Sequence, residues 1–258
     1  MNNIVIHDTA EVIITDLVDG RVVLNAEAQL AGIAGAISEE DLRGGIGNRK
    51  LYRIRTDKEI TLTMRSALAN VEYWAMTQGV TVDEAGTARI TAYRTLPVAD
   101  GAIDVTAIAG EIVPGDDGRA YITVTQANGT QETVEPTDNT VAVTGYNDGD
   151  KVNVFYQKEV IGNSISIDST KFSHKYKVEM RTIAYDVETA QVQSDIYFIF
   201  PETIPSGEFD ISLENGSVYT PEITFSVVNA SGSNEMGQII EVARTEDGTG
   251  TEVGTDTP

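Results

Sequence analysis

The sequence predicts a mainly β protein with one principal α-helix packed against sheet. Apolar and polar residues alternate with period two through most of the 258 residues. Asn-Gly and Asp-Gly pairs, which suit tight hairpin turns, separate those runs. Only one segment carries apolar residues at helical spacing.

In chain order, strands are expected over 4–6, 21–25, 51–54, 60–64, 88–93, 103–108 and 120–125. They continue over 140–144, 152–156, 164–167, 175–185, 193–200, 208–213, 222–228 and 238–243. Asp19-Gly20, Asp117-Gly118, Asn128-Gly129, Asp148-Gly149 and Asn215-Gly216 supply the turns. The helix is expected over 67–78, where Leu68, Val71, Ala75 and Met76, with Trp74 beside them, form the core-facing stripe. Ser66 is placed to cap its start and Gly79 to end it. A single further helical turn is expected over 39–42, with Ser38 as its cap and Asp41 at the third position.

Between 97 and 156 the character changes to few aromatics, many Thr, Val and Asp residues, and closely spaced turns. This stretch reads either as an inserted β subdomain or as long hairpins of one continuous sandwich. On the first reading, 1–96 and 157–243 form the main β domain. The last residues, 244–258, are rich in Thr, Gly and acids and are expected to be a flexible tail.

Composition removes whole classes of chemistry. The absence of cysteine excludes disulfides, thiolate nucleophiles and cysteine-held metals, and suits synthesis in a reducing cytoplasm. No apolar run is long enough for a membrane-spanning helix, and the start of the sequence lacks signal character, so the mature protein is expected to begin near Met1. Asn128, Asn215 and Asn229 lie in glycan-acceptor triplets but read as turn residues. A net charge of −22 repels phosphate backbones and disfavours stable nucleic-acid binding. That charge is uneven: 100–150 holds ten acids against Arg119, whereas 43–65 holds seven bases against Asp57 and Glu59. Such asymmetry suits a subunit whose neighbours present complementary faces, or simply two solvated surfaces.

No catalytic constellation emerges. His7 and His174 are far apart and lack metal-ligand spacing. The glycine cluster 44–50 has the wrong spacing for a phosphate loop and leads into a strand rather than a helix. Asp116-Asp117 and Asp148-x-Asp150 fall short of an EF-hand pattern and read as turn residues. The aromatics are few and scattered, so no stacking groove for sugars or single strands is evident. No cofactor, metal or catalytic residue is expected.

Three stretches, taken in order, carry a family resemblance. The first runs from Asp41-Leu42-Arg43-Gly44-Gly45-Ile46-Gly47-Asn48-Arg49-Lys50 through Lys58 to Thr63 into the helix. The second joins Val152 to Tyr156, Ile165 to Asp168, Phe172 and Arg181 to Asp186. The third joins Ser194 to Pro201, Phe209 to Gly216, Pro221 to Val228 and Gly237 to Val242. Together they resemble the major tail, or tail tube, proteins of long-tailed bacteriophages.

The resemblance implies a β-sandwich or half-barrel with a flanking helix, assembled as hexameric rings that stack into a tube conducting double-stranded DNA without gripping it. It implies no enzyme activity and no membrane. The expected partners are further copies of the chain and other tail proteins, namely tape measure, terminator and distal tail proteins. Location in the virion tail follows, after synthesis in the host cytoplasm. The family's inter-ring loop falls on 38–50, which assigns axial contact to Ser38, Asp41, Arg43, Gly44, Gly45, Gly47, Asn48, Arg49 and Lys50. Acidic residues would line the lumen, and the basic stretch would face the acidic surface of the next ring. The 97–156 segment matches less well and is expected on the outside of the tube. The competing reading is a capsid decoration protein or a surface binding module with an immunoglobulin-like domain.

Overall fold

The computed structural model describes residues 3–208 and 210–244, and the expected 244–258 tail lies, apart from Arg244, outside the described residues. Its elements in chain order are β1 (Ile4–Ile6), β2 (Glu11–Asp16), β3 (Val22–Gly44), β4 (Arg49–Ser66), α1 (Val71–Gln78), β5 (Asp83–Ala99), β6 (Ala102–Asp104) and α2 (Thr106–Ala109). Then follow β7 (Ile122–Thr125), β8 (Gln131–Val134), β9 (Thr140–Ala142), β10 (Lys151–Ser164), β11 (Tyr176–Asp186), β12 (Val192–Pro205), β13 (Glu222–Val227) and β14 (Gln238–Ala243). The fold is mainly β, as the alternation predicts.

The chain divides into two compact units, Met1–Val82 with Ile165–Pro258, and Asp83–Ser164. In the first, antiparallel pairing runs from β11 through β2, β3, β4, β13 and β12 back to β11, which makes a partial barrel. β1 extends it beside β11, and β14 extends it beside β12.

Strict alternation builds the core. Val12 and Ile14 of β2, Leu62 and Met64 of β4, Val178 and Met180 of β11, and Ile223 and Phe225 of β13 all point inward and are buried. Each such side chain contributes about 1.5–3 kcal/mol by leaving water.

Helix α1 begins at Val71, four residues later than expected. Ser66 is still strand, paired with Ala28, and its hydroxyl accepts the Leu68 amide in a bend. Asn70 is the cap instead, its Oδ1 accepting the Glu72 amide at 3.1 Å. Leu68, placed in the stripe by sequence, is therefore 78 % exposed. Ala75 and Met76 are buried as expected, Val71 and Trp74 are half-buried, and Tyr73 takes the buried position that Leu68 does not.

Gly79 ends the helix in the left-handed region at φ 64°. A Cβ there would lie 2.1 Å from the Phe172 carbonyl oxygen, so close packing as well as conformation requires glycine.

In the second unit the strand order is β8-β7-β10-β5-β6-β9. Val98, Ile103, Ile108, Ile122, Val124 and Val154 form its own core. The unit's ends lie 14 and 8 residues outside the 97–156 stretch marked by composition, because β5 and β10 stay paired from Pro97 and Lys151 out to Asp83 and Ser164. Residues 106–108, the end of the expected 103–108 strand, lie in α2 instead. Residues 210–213, also expected as strand, have no strand partner among the described residues, and Leu213 is exposed.

Candidate assembly interface

The glycine cluster and its flanks are not a loop with a helical turn but the far end of one long hairpin. β3 and β4 pair from Ala28 and Ser66 out to Gly44 and Arg49. Beyond Ile33 and Leu62 no residue of either strand is buried, so about twelve residues per strand, roughly 40 Å, form an exposed arm. Gly45 (φ 76°), Gly47 (φ 86°) and Asn48 (φ 49°) make the turn, and the Asn48 amide bonds the Gly45 carbonyl at 3.1 Å. Ile46 at the tip is fully exposed.

Why 39–42 is strand rather than helix follows from what stands opposite. The register sets Glu39 against Arg55 and Asp41 against Arg53 on one face. Asp41 meets Lys50 at 2.6 Å, Arg53 at 3.1 Å and Arg43 at 3.7 Å, while Glu39 meets Arg55 at 3.3 Å and also Arg53. The Lys50 hydrogen bond, then Arg53, holds the Asp41 carboxyl below the usual carboxylate range, and Asp41 in turn raises Arg53. Ser38 sits at a register shift, its carbonyl accepting the Thr56 hydroxyl, and caps nothing.

This ladder corrects the electrostatic expectation. Arg43, Lys50, Arg53 and Arg55 are met by carboxylates of the same arm, and Arg65 by Glu222 at 2.7 Å. Residues 36–60 hold six bases and five acids, one net positive charge, so the arm is no basic patch. The opposite face carries the cross-strand pairs Leu42 with Tyr52 and Glu40 with Ile54. Leu42, Tyr52 and Ile54 are all exposed there. Two-stranded ribbons are marginal alone in water, and exposed apolar faces are candidate contact surfaces.

The sheet also ends in two open strands. β1 pairs only with β11 and β14 only with β12 among the described residues. Ile239 and Ile240 of β14 are exposed. β14 is held at its end by Asp195, 2 % exposed, which takes Arg244 at 2.7 Å and Arg181 at 3.3 Å. The Arg244 bonds hold the Asp195 carboxyl below its ordinary range against the opposing effect of burial. Arg244, read from sequence as the start of the tail, is thus a structural anchor.

His174 bonds the buried Asp16 at 2.7 Å and stacks on Tyr176, whereas His7 is exposed. Asp117 accepts the Arg119 amide within its own turn, and Asp148 accepts the Asp100 amide of another turn.

A family model described as the YomU/Tube protein family matches residues 4–242. The chain belongs to this family. Among its relatives, a protein named tail tube protein from Bacillus phage SPR is 40 % identical over 94 % of this chain and 90 % of its own length. An SPbeta prophage-derived protein, YomU of Bacillus subtilis (strain 168), is 32 % identical over 95 % of this chain and 89 % of its own. The tail-tube resemblance carried by the three sequence stretches is thereby shown.

For a YomU/Tube family chain the apolar arm face was the harder feature to foresee. Leu51 to Ile54 read as strand, but its partner read as loop and helical turn. Leu42, Ile46, Tyr52 and Ile54 therefore had no shared face in the sequence.

Proposed function

We propose that this chain is a virion structural subunit that polymerises into a phage tail tube. The observation that carries the reading is the exposed β3–β4 arm with its apolar face, in a chain whose relative of Bacillus phage SPR is named a tail tube protein. The arm, with the tip residues Gly44, Gly45, Gly47, Asn48, Arg49 and Lys50, reaches a neighbouring copy. The open strands β1 and β14 meet laterally, since unpaired strand edges favour pairing with another chain. Hexameric rings then stack axially, and contacts of this head-to-tail kind propagate. The role is structural rather than catalytic, and the partners are further copies, tape measure, terminator and distal tail proteins.

The net charge of −22 suits a lumen through which double-stranded DNA slides without binding. Because Arg43, Lys50, Arg53 and Arg55 pair within the arm, axial contact is assigned to Leu42, Ile46, Tyr52 and Ile54. Stacking should then depend only weakly on salt, as apolar burial does and exposed ion pairing does not.

Electron microscopy of the purified protein tests this. Rings or tubes support the reading, and dispersed particles at high concentration favour a decoration or binding module. Deletion of residues 44–49 should leave a folded subunit that no longer stacks, and unchanged tubes would remove the arm from the account.

A further inference from the structure

Within the 83–164 unit, β10 lies between β5 and β7, and β8 lies beyond β7. Alternation sends Val124, Val154 and Tyr156 into the core and the intervening residues to the other face. The centre of that outer face is one cross-strand row, Tyr93, Phe155, Thr123 and Thr133, set by the register. The two rings, 62 residues apart in sequence, have centroids 6.1 Å apart and a mutual tilt of 41°. Tyr93 is 68 % exposed. The scattered aromatics of the sequence are therefore joined here into a platform.

What flanks the rings is neutral. On one side the Thr95 hydroxyl donates to Asn153 Oδ1 at 2.7 Å. On the other the Gln157 amide donates to the Thr91 hydroxyl at 3.0 Å. Thr123 and Thr133 share a hydrogen bond of 2.9 Å beside Phe155. These bonds fix the groups, and each amide or hydroxyl keeps further donor or acceptor capacity. Charges enter one row further along the ribbon, where Arg89 stands across from Glu159 and Lys151 across from Pro97, and beyond Thr123 and Thr133, where the Tyr121 hydroxyl donates to Asp117 and Arg119 meets Glu135 at 3.9 Å.

A polar outer face is ordinary for an antiparallel sheet. An exposed tyrosine set against a half-buried phenylalanine, centred among hydroxyls and amides, is not. We propose that this face binds neutral polysaccharide. Aromatic rings have electron-rich faces that attract the polarised C–H groups of a sugar ring, and adjacent amides and hydroxyls match its hydroxyls. A polyanion is disfavoured, because the unit holds thirteen acids against five bases. A protein partner would find the nearest exposed aliphatic side chain of β10 on this face, Ile161, six residues from Phe155, and would bury these polar groups at a cost.

The test is native electrophoresis of the full chain through gels containing dextran, laminarin, mannan, hydroxyethyl cellulose or glycol chitin, with alginate as the anionic control. Retardation is expected in at least one neutral gel and not in alginate. Tyr93→Ala should weaken it about tenfold, in line with the loss of one stacked ring, Asn153→Ala less, and Tyr93→Phe hardly at all. Because Tyr93 is exposed, these variants should keep the wild-type circular dichroism. No retardation in any neutral gel, or equal retardation of Tyr93→Ala, would overturn the proposal. So would loss of tube formation in Tyr93→Ala, which would make the face a contact between copies.

Discussion

The two halves of the β3–β4 ribbon are the same pair of strands under opposite physical regimes. At its base, residues 61–66 alternate half-buried with buried positions, Leu24 and Ala28 of the partner strand are buried, and Leu62 and Met64 have no solvent exposure. In its arm, from Ile37 and Lys58 outwards, both faces are open, one to a charge ladder and the other to Leu42, Tyr52 and Ile54. The base is specified by the chain's own core. The arm is held in register by cross-strand ion pairs that contribute little stability each, and its apolar face has no partner among the described residues. Stability and assembly are therefore separable along one hairpin.

That separation can be broken by mutation, with the largest effect at the base. Leu62→Ala should cost about 2–5 kcal/mol, the usual range for a cavity in a packed core, measured by denaturant unfolding. Leu42→Ala in the arm should change monomer stability by less than about 0.5 kcal/mol. Equal losses at the two positions would mean that the arm packs on its own body. Asp195→Ala, which leaves the half-buried Arg181 and Arg244 without their shared carboxylate, should cost about 1.5–3 kcal/mol and release β14, visible as faster amide exchange over residues 238–243.

Acid sharpens the contrast further. Glu202 in the body is held at about 2 from an ordinary 4.5, first by Lys175 and then by Ser231. Its folded value is the lower one, so its contribution is fully present above about 4.5 and is lost as pH falls toward 2. Glu202→Gln should flatten the body's stability across that window in a pH titration of thermal unfolding. The smallest effect is expected from reversing the arm's charges in pairs: Glu39→Arg with Arg55→Glu should leave both fold and assembly near wild type, since the ladder closes on itself.

Much of the body was legible because alternation survives wherever one face is buried: β2, β11 and β13 follow it directly. Helix α1 was legible in kind but not in its start, since Ser66 and Asn70 are both competent caps and only strand pairing with Ala28 decides between them. The arm was misread because a local pattern, Ser38 with Asp41, imitates a helix cap. The deciding partners Arg53 and Arg55 lie 12 or more residues away. The Tyr93–Phe155 pair was invisible for the same reason, being a product of register.

The central claim is that the arm's apolar face joins one subunit to the next. Its most direct test is electron microscopy and sedimentation of the triple variant Leu42→Ser, Tyr52→Ser, Ile54→Ser beside the wild type. The account predicts a subunit that unfolds at the wild-type denaturant concentration yet forms no tubes. Tubes of normal length and abundance from that variant would contradict it.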